Sequence, residues 1–394
     1  MRSNHLWLFI MEVFAGLSRG SYLVCIGWTT LVVTGEVAVV GQVFILAMLA
    51  NMLGGPLLGT IVDRKDRRVI AALAHLGVAG VMLGGGAALA FGWTTPLLFF
   101  AVAFGAQLLR LLYQLAHDAL IRANAEDAEV MVLLARLRTT HLLATTVGTI
   151  AAGWVIHAFG AFAGFAGSAL TSFGVIFAAR YLAVAIKSAG GPKPLTYLAE
   201  LSVGFRTFRT NPEIRVAALL ALVVLPVGQL SNAVLSGLIR NDLGHGSDVF
   251  GLVDAAWPVG GMVAAGVMSL GLAILQRNWF LFVTSGFAGL ATAVLGVATT
   301  VPVLVLLHGL MGFFVWLTHI SVDACVLRAS TEQTAGRMKS YIVLLLSAGA
   351  IVMCLSPGVV PVPEVGRYFQ FWGCVAASVS GFLLLWHVVK RMRL

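Results

Sequence analysis

The chain has 394 residues, of which 59% are hydrophobic and only 10% charged, and it carries a formal net charge of +9 with a mean hydropathy of +0.96. That much apolar surface exceeds what one water-soluble core hides, which excludes a soluble globular enzyme and predicts an integral membrane protein. The basic residues sit where apolar runs end rather than in one interleaved patch, so the expected partner of the positive charge is lipid, with no nucleic acid.

A bilayer core of about 30 Å takes about 20 mostly apolar residues per helix. The sequence predicts twelve spans, near 6–33, 37–62, 69–91, 96–121, 131–157, 161–186, 214–238, 248–273, 279–299, 302–327, 338–357 and 367–389. The run from Leu6 to about Val33 is too long for a signal-peptide core and reads as the first span. With the amino terminus inside, the inner loops collect Arg2, Arg64, Lys65, Arg67, Arg68, Arg122, Lys187, Lys193 and others, while the outer loops hold only Arg240 and Arg367. That asymmetry predicts both termini in the cytoplasm. The expected class is all-α, two pseudo-symmetric six-helix bundles at 1–186 and 214–394 joined by a cytoplasmic linker at 187–213.

In span 1, Glu12 and Arg19 are seven residues apart, two turns along one face. Arg19 lies about 20 Å into the span at about 1.5 Å per residue, near the middle of the bilayer. The hairpin after span 2 reads Gly55-Pro56-Leu57-Leu58-Gly59-Thr60-Ile61-Val62 and then six consecutive charged residues, Asp63-Arg64-Lys65-Asp66-Arg67-Arg68. In span 4, Arg110, Gln114, His117 and Asp118 stand at i, i+4, i+7 and i+8, on one helical face. Arg136 and Arg138 open span 5.

Gly190-Gly191-Pro192-Lys193-Pro194 marks the linker, followed by an expected amphipathic surface helix over Leu195–Phe208. Span 7 carries Gln229, Asn232 and Ser236 at spacings of three and four. Span 8 holds Asp254, open to reading as an outer-gate site or as a side chain reaching to the interface. In span 10, His308, Gly312, Trp316, His319 and Asp323 repeat every three to four residues. Arg122-Ala123-Asn124-Ala125-Glu126 after span 4 and Arg328-Ala329-Ser330-Thr331-Glu332 after span 10 form a weak internal repeat, each just after an acid, Asp118 or Asp323.

The spacing of Gly59, Asp63, Arg64, Arg67 and Arg68 resembles the signature loop between the second and third helices of the major facilitator superfamily. Glu200 to Asn211-Pro212 and Gly336-Arg337-Met338-Lys339-Ser340 resemble the branch that includes macrolide efflux pumps and the enterobactin exporter. The resemblance implies that spans 1, 4, 7 and 10 line a central cavity. It also implies that Gly59, Asp63, Arg64, Arg67, Arg68 and Arg337 form a cytoplasmic latch, with Asp63 near the start of span 11. The expected location is the bacterial inner membrane, and the expected form a monomer.

Embedded ionisable side chains cost about 2.5–3.5 kcal/mol each on insertion scales unless they face a cavity or partner. Arg forks suit carboxylates, so Arg19 and Arg110, helped by Gln114, Gln229, Asn232, Trp316 and His319, are the expected substrate-binding residues. Glu12, Asp118, His117 and Asp323 are the expected proton-handling groups. Glu12 is also the expected counter-charge of the arginines. The alternative is a fixed ion network holding helices 1 and 4 together. No phosphate-binding loop or hydrolase motif occurs, and Cys25, Cys325, Cys354 and Cys374 have no metal-ligand spacing. The expectation is therefore no enzyme and no cofactor, but a proton-coupled exporter of a small organic anion or zwitterion such as a carboxylate siderophore. Amphiphilic drug efflux, lysophospholipid flipping and a non-transporting sensor are the competing readings.

Overall fold

The computed structural model describes residues 2–124, 127–182, 205, 208, 209, 211–271, 278–328 and 332–392. In chain order the helices are α1 (Arg2–Thr34), α2 (Val37–Arg64), α3 (Arg67–Ala90), α4 (Pro96–Asn124), α5 (Asp127–Tyr181), α6 (Pro212–Val223) and α7 (Val227–Gly237). A single π turn (Leu238–Asp242) follows, then α8 (Ser247–Asp254), α9 (Ala256–Ser269), α10 (Asn278–Leu295), α11 (Val301–Arg328), α12 (Glu332–Val359) and α13 (Gly366–Met392). No strand occurs among the described residues.

Among the described residues ten helices are long and apolar enough to cross a membrane; one, Val132–Tyr181, runs for 50 residues, and Trp279–Leu295 is a shorter apolar helix. The long one breaks at Gly160, whose φ of 82° and ψ of 176° lie where only glycine is at ease. Counting it as two and adding the short helix gives twelve apolar segments. The architecture is thus the helical, multi-pass one expected.

Two predicted spans prove discontinuous, for the same reason. Span 7 divides into α6 and α7 just before Pro226, and span 8 into α8 and α9 at Ala255, three residues before Pro258. Proline has no N–H to give the carbonyl four residues back, and its ring crowds that carbonyl. Helix starts are set locally. Asp66 caps α3 by accepting from the Arg68 N–H, and Asn211 caps α6 ahead of Pro212 by accepting from Glu213 and Ile214. Asp242 does the same over distance, its carboxylate accepting from the N–H groups of Val365 and Gly366 at 3.0 and 2.8 Å where α13 begins.

The chain divides into two compact units, one of Met1–Gly191 with Gly244–Ala255, the other of Pro192–Leu243 with Ala256–Leu394. In the first unit α1 packs along α5. Gly20 and Gly148 let the two backbones meet there, since a Cβ on Gly20 would press on the Thr149 N–H and one on Gly148 on the Leu17 backbone. Such close approach is how helices associate where water supplies no hydrophobic drive. Leu8, Met11, Tyr113, Leu120 and Leu137 fill the core beside this seam. The expected amphipathic helix and most of the linker, with Glu200 and Arg206, lie outside the described residues.

Candidate functional site

The first unit encloses a cavity of about 260 Å³. Glu12, Ala15 and Arg19 of α1, Asn51 of α2, His75 of α3, the Gln107–Asp118 face of α4, and Arg138 and His141 of α5 line it. Arg110, Gln114, His117 and Asp118 all reach it because little more than two turns of α4 present positions i, i+4, i+7 and i+8 in one direction.

The deepest charge is Glu12, almost wholly buried. Its Oε1 lies 3.2 Å from His117 Nδ1 and its Oε2 lies 2.7 Å from His141 Nδ1. Glu12 therefore does not balance the arginines, which corrects that expectation. Seven residues separate it from Arg19, about 10 Å along the helix axis, and the helices that cross at its level bring histidines instead. Tyr113 stacks on His117 at 5.3 Å and meets the edge of the buried His75 at 4.4 Å. His75 and Tyr113 have no hydrogen-bond partner for their ring nitrogens and hydroxyl among the described residues.

One level along, Arg110 donates through Nη2 to the Ser18 carbonyl at 2.9 Å and lies near the Ser18 hydroxyl at 3.2 Å. Its guanidinium rests 4.6 Å from the centre of the Tyr22 ring, with Arg19 5.7 Å from the same ring. Arg19 donates to Gln107 Oε1 at 2.8 Å, and Gln107 in turn donates to Asn51 Oδ1 at 3.0 Å. The carboxylate that acts on Arg19 electrostatically is Asp254, at the end of α8. Asp118 pairs with Arg138 at 3.1 Å where both are partly exposed. Arg110 Nε is buried and lacks a partner among the described residues, so this wall keeps unspent donor capacity.

In the second unit, Asn232 donates to Gln229 Oε1 at 3.1 Å on α7. On α11, His319 lies 3.5 Å from Asp323, and Trp316 sits 5.8 Å from His319. His308, 5.8 Å from the Trp257 ring, shares a hydrogen bond with Ser231 at 2.8 Å. Among the described residues no group of three or more His, Cys, Asp or Glu is placed to hold a metal ion.

In the charged hairpin, Arg68 binds Asp66 at 2.8 Å and donates to the Leu182 carbonyl at 3.0 Å, while Arg67 donates to the Ala119 carbonyl at 3.5 Å. The hydrogen bond from Arg68 holds the Asp66 carboxyl below the usual carboxylate range. Gly59 lies inside α2 with open space where a Cβ would go. The side chains of Asp63, Arg64 and Arg337, and so the expected latch between them, lie outside the described residues.

Sequence reasoning missed His141, His75, Gln107, Asn51 and Tyr22. A histidine in the middle of an apolar run was a usable signal for His75, and one ten residues inside an expected span for His141. The neutral Gln107, Asn51 and Tyr22 gave none.

The family model described as Major Facilitator Superfamily matches residues 8–354. The chain belongs to the Major Facilitator Superfamily. Solved structures with the same fold include nucleoside transporter NupG, with 15% identity, a TM-score of 0.77 and coverage of 97% of this chain and 98% of that one. A bacterial homologue of the iron transporter ferroportin, in an inward-facing state, has 16% identity, a TM-score of 0.72 and 98% coverage of both chains. The POT family transporter PepTSo has 12% identity, a TM-score of 0.69 and 98% coverage of both. At such identities the likeness shows the superfamily fold alone. No curated protein matches the chain. As a member of this transporter superfamily, the protein is a multi-pass membrane protein.

Proposed function

We propose that this member of the Major Facilitator Superfamily is a proton-coupled exporter of a small organic zwitterion or anion, working by alternating access. The carrying observation is one cavity that presents both signs of charge at different depths. Arg19 and Arg110 share the Tyr22 ring at one level, and Glu12 lies between two histidines at the other. Paired guanidiniums with free donor capacity suit a carboxylate bidentately. The Glu12 level suits a cationic group, and the same level is where a proton would compete with it. Competition between proton and cargo is what lets an inward proton gradient expel the cargo.

Gln114 borders the same cavity. Cargo contact in the second unit is assigned to Gln229, Asn232, Trp316 and His319, and proton coupling is assigned to the level of Glu12 and His117, with Asp118 and Asp323 as further acids. Export rather than uptake is supported by the likeness of Glu200–Pro212 and Gly336–Ser340 to the exporter branch.

In proteoliposomes, Arg110→Ala should weaken efflux of a carboxylate-bearing cargo about tenfold to hundredfold, the scale of one lost charge-assisted bidentate contact. An analogue without the carboxylate should be little affected. Equal loss for both cargoes would make Arg110 a structural strut and remove the basis for this reading.

A further inference from the structure

The Glu12 cluster has an asymmetry that decides where a proton enters. Both imidazoles turn Nδ1 to the carboxylate, yet their other nitrogens are in opposite situations. The His117 side chain is 2% exposed and its Nε2 is buried with no partner among the described residues. The His141 side chain is 26% exposed, lines the cavity, and makes the shorter contact, 2.7 Å to Oε2. Glu12 itself is only 4% exposed, so His141 is the member of the cluster most open to the cavity.

We propose that the exchangeable proton of this transporter is loaded on His141 at Nε2, with Glu12 a fixed carboxylate and His117 a positioning residue. Two N–H donors, one per oxygen, stabilise the ionised carboxylate and fix both imidazoles as Nδ1–H tautomers. Loading is a plain proton transfer from hydronium in the cavity. An N–H bond forms at Nε2, an O–H bond breaks, water is left, and nothing is oxidised or reduced.

The charged and titratable groups around the imidazole are Glu12 and Arg19 on α1, His75 on α3, Arg110, Tyr113, His117 and Asp118 on α4, and Arg138 one turn away on α5. From α8, Asp248 is engaged with His157 at 3.2 Å and Asp254 acts on Arg19. Of these groups, Glu12 is the one that pairs with the His141 ring, at 2.7 Å. With His141 neutral the pair carries one net negative charge; with His141 protonated it carries none, the cheaper state in a low-dielectric interior.

Resting on the zwitterion reading above, this gives the coupling its sign. The unprotonated pair attracts a cationic cargo group and the protonated pair does not, so proton and cargo exclude each other, and by linkage each weakens the other equally.

The test is pH-difference infrared spectroscopy on the full-length protein in liposomes, with the proton itself as probe and ring-labelled histidine. The chain has nine histidines, so the signal is read as a wild-type minus variant difference: acidification should produce label-sensitive imidazolium signals, one component of which is lost in His141→Gln and diminished in Glu12→Gln, with no protonated-carboxyl band from Glu12. A carboxyl band that vanishes in Glu12→Gln, or imidazolium signals that are the same in His141→Gln as in the wild type, would overturn the proposal. The wild-type carboxyl region decides even if His141→Gln does not fold. Counterflow of a panel of labelled amino acids, run without a proton gradient, tests the cargo reading separately. Its failure would remove the cargo class and leave the proton site standing.

Discussion

Asp66 shows how one side chain does two jobs at the charged hairpin. It caps α3 through the Arg68 N–H and holds the Arg68 guanidinium, which also reaches the Leu182 carbonyl at the far end of α5. Because its folded carboxyl is held below its usual value, the stabilisation is fully present above about pH 4, the unfolded value. It is lost as pH falls further. Asp66→Ala should cost about 1 kcal/mol at neutral pH, mostly as the lost cap. Asp66→Asn, which keeps the cap, should cost less. Thermal unfolding in detergent at pH 7 and pH 3 checks this, and the gap between wild type and Asp66→Asn should close at the lower pH. At this scale the sequence was readable where one helix supplied the whole pattern, as with Arg110, Gln114, His117 and Asp118. It misled for Glu12, because the histidine that binds it most closely stands 129 residues away on another helix whose rotation no local spacing reports.

Two glycines separate the ways an element is constrained. Gly160 breaks the long α5 by backbone conformation alone, since a Cβ there would meet nothing within 4 Å. Gly160→Ala should therefore cost about 1–3 kcal/mol by strain without disturbing its neighbours. Gly20 has ordinary helical geometry but sits against the backbone of Thr145 and Thr149 across the α1–α5 seam. Gly20→Ala must push two helices apart, with a cost of about 1–3 kcal/mol or more and a shift in the arginine level that Ser18 and Arg19 form beside it. Both variants should lower the unfolding temperature in detergent, but only Gly20→Ala should also impair cargo binding. Equal effects on binding would mean the seam does not set the site. The breaks of α6–α7 and α8–α9 were foreseeable from Pro226 and Pro258, whereas the depth of the α1–α5 approach required the partner helix to be in place.

For the molecule as a whole, the distribution of positive charge predicts the topology. Lys65 is exposed at the end of the hairpin, and we propose from the excess of arginine and lysine there that it faces the cytoplasm. Cys25, Cys325 and Cys354 are buried and Cys374 is exposed, so a Lys65→Cys substitution in a Cys374→Ser background offers one accessible thiol. A membrane-impermeant maleimide should label it in inside-out vesicles and not in intact cells. The opposite pattern would reverse the orientation and, with it, the proposed direction of transport.

By itself the sequence determined that this chain crosses a membrane about a dozen times as helices, and that charge gathers on one face of α4. Hydropathy and periodicity are local sums over 20 residues or so, complete before any helix meets another. The tertiary structure alone decided which buried charges face one another: Glu12 between His117 and His141, and two arginines over one tyrosine ring. Those pairings depend on the rotation and depth of helices brought together from distant parts of the chain, set by the fit of glycines and bulky side chains along their seams.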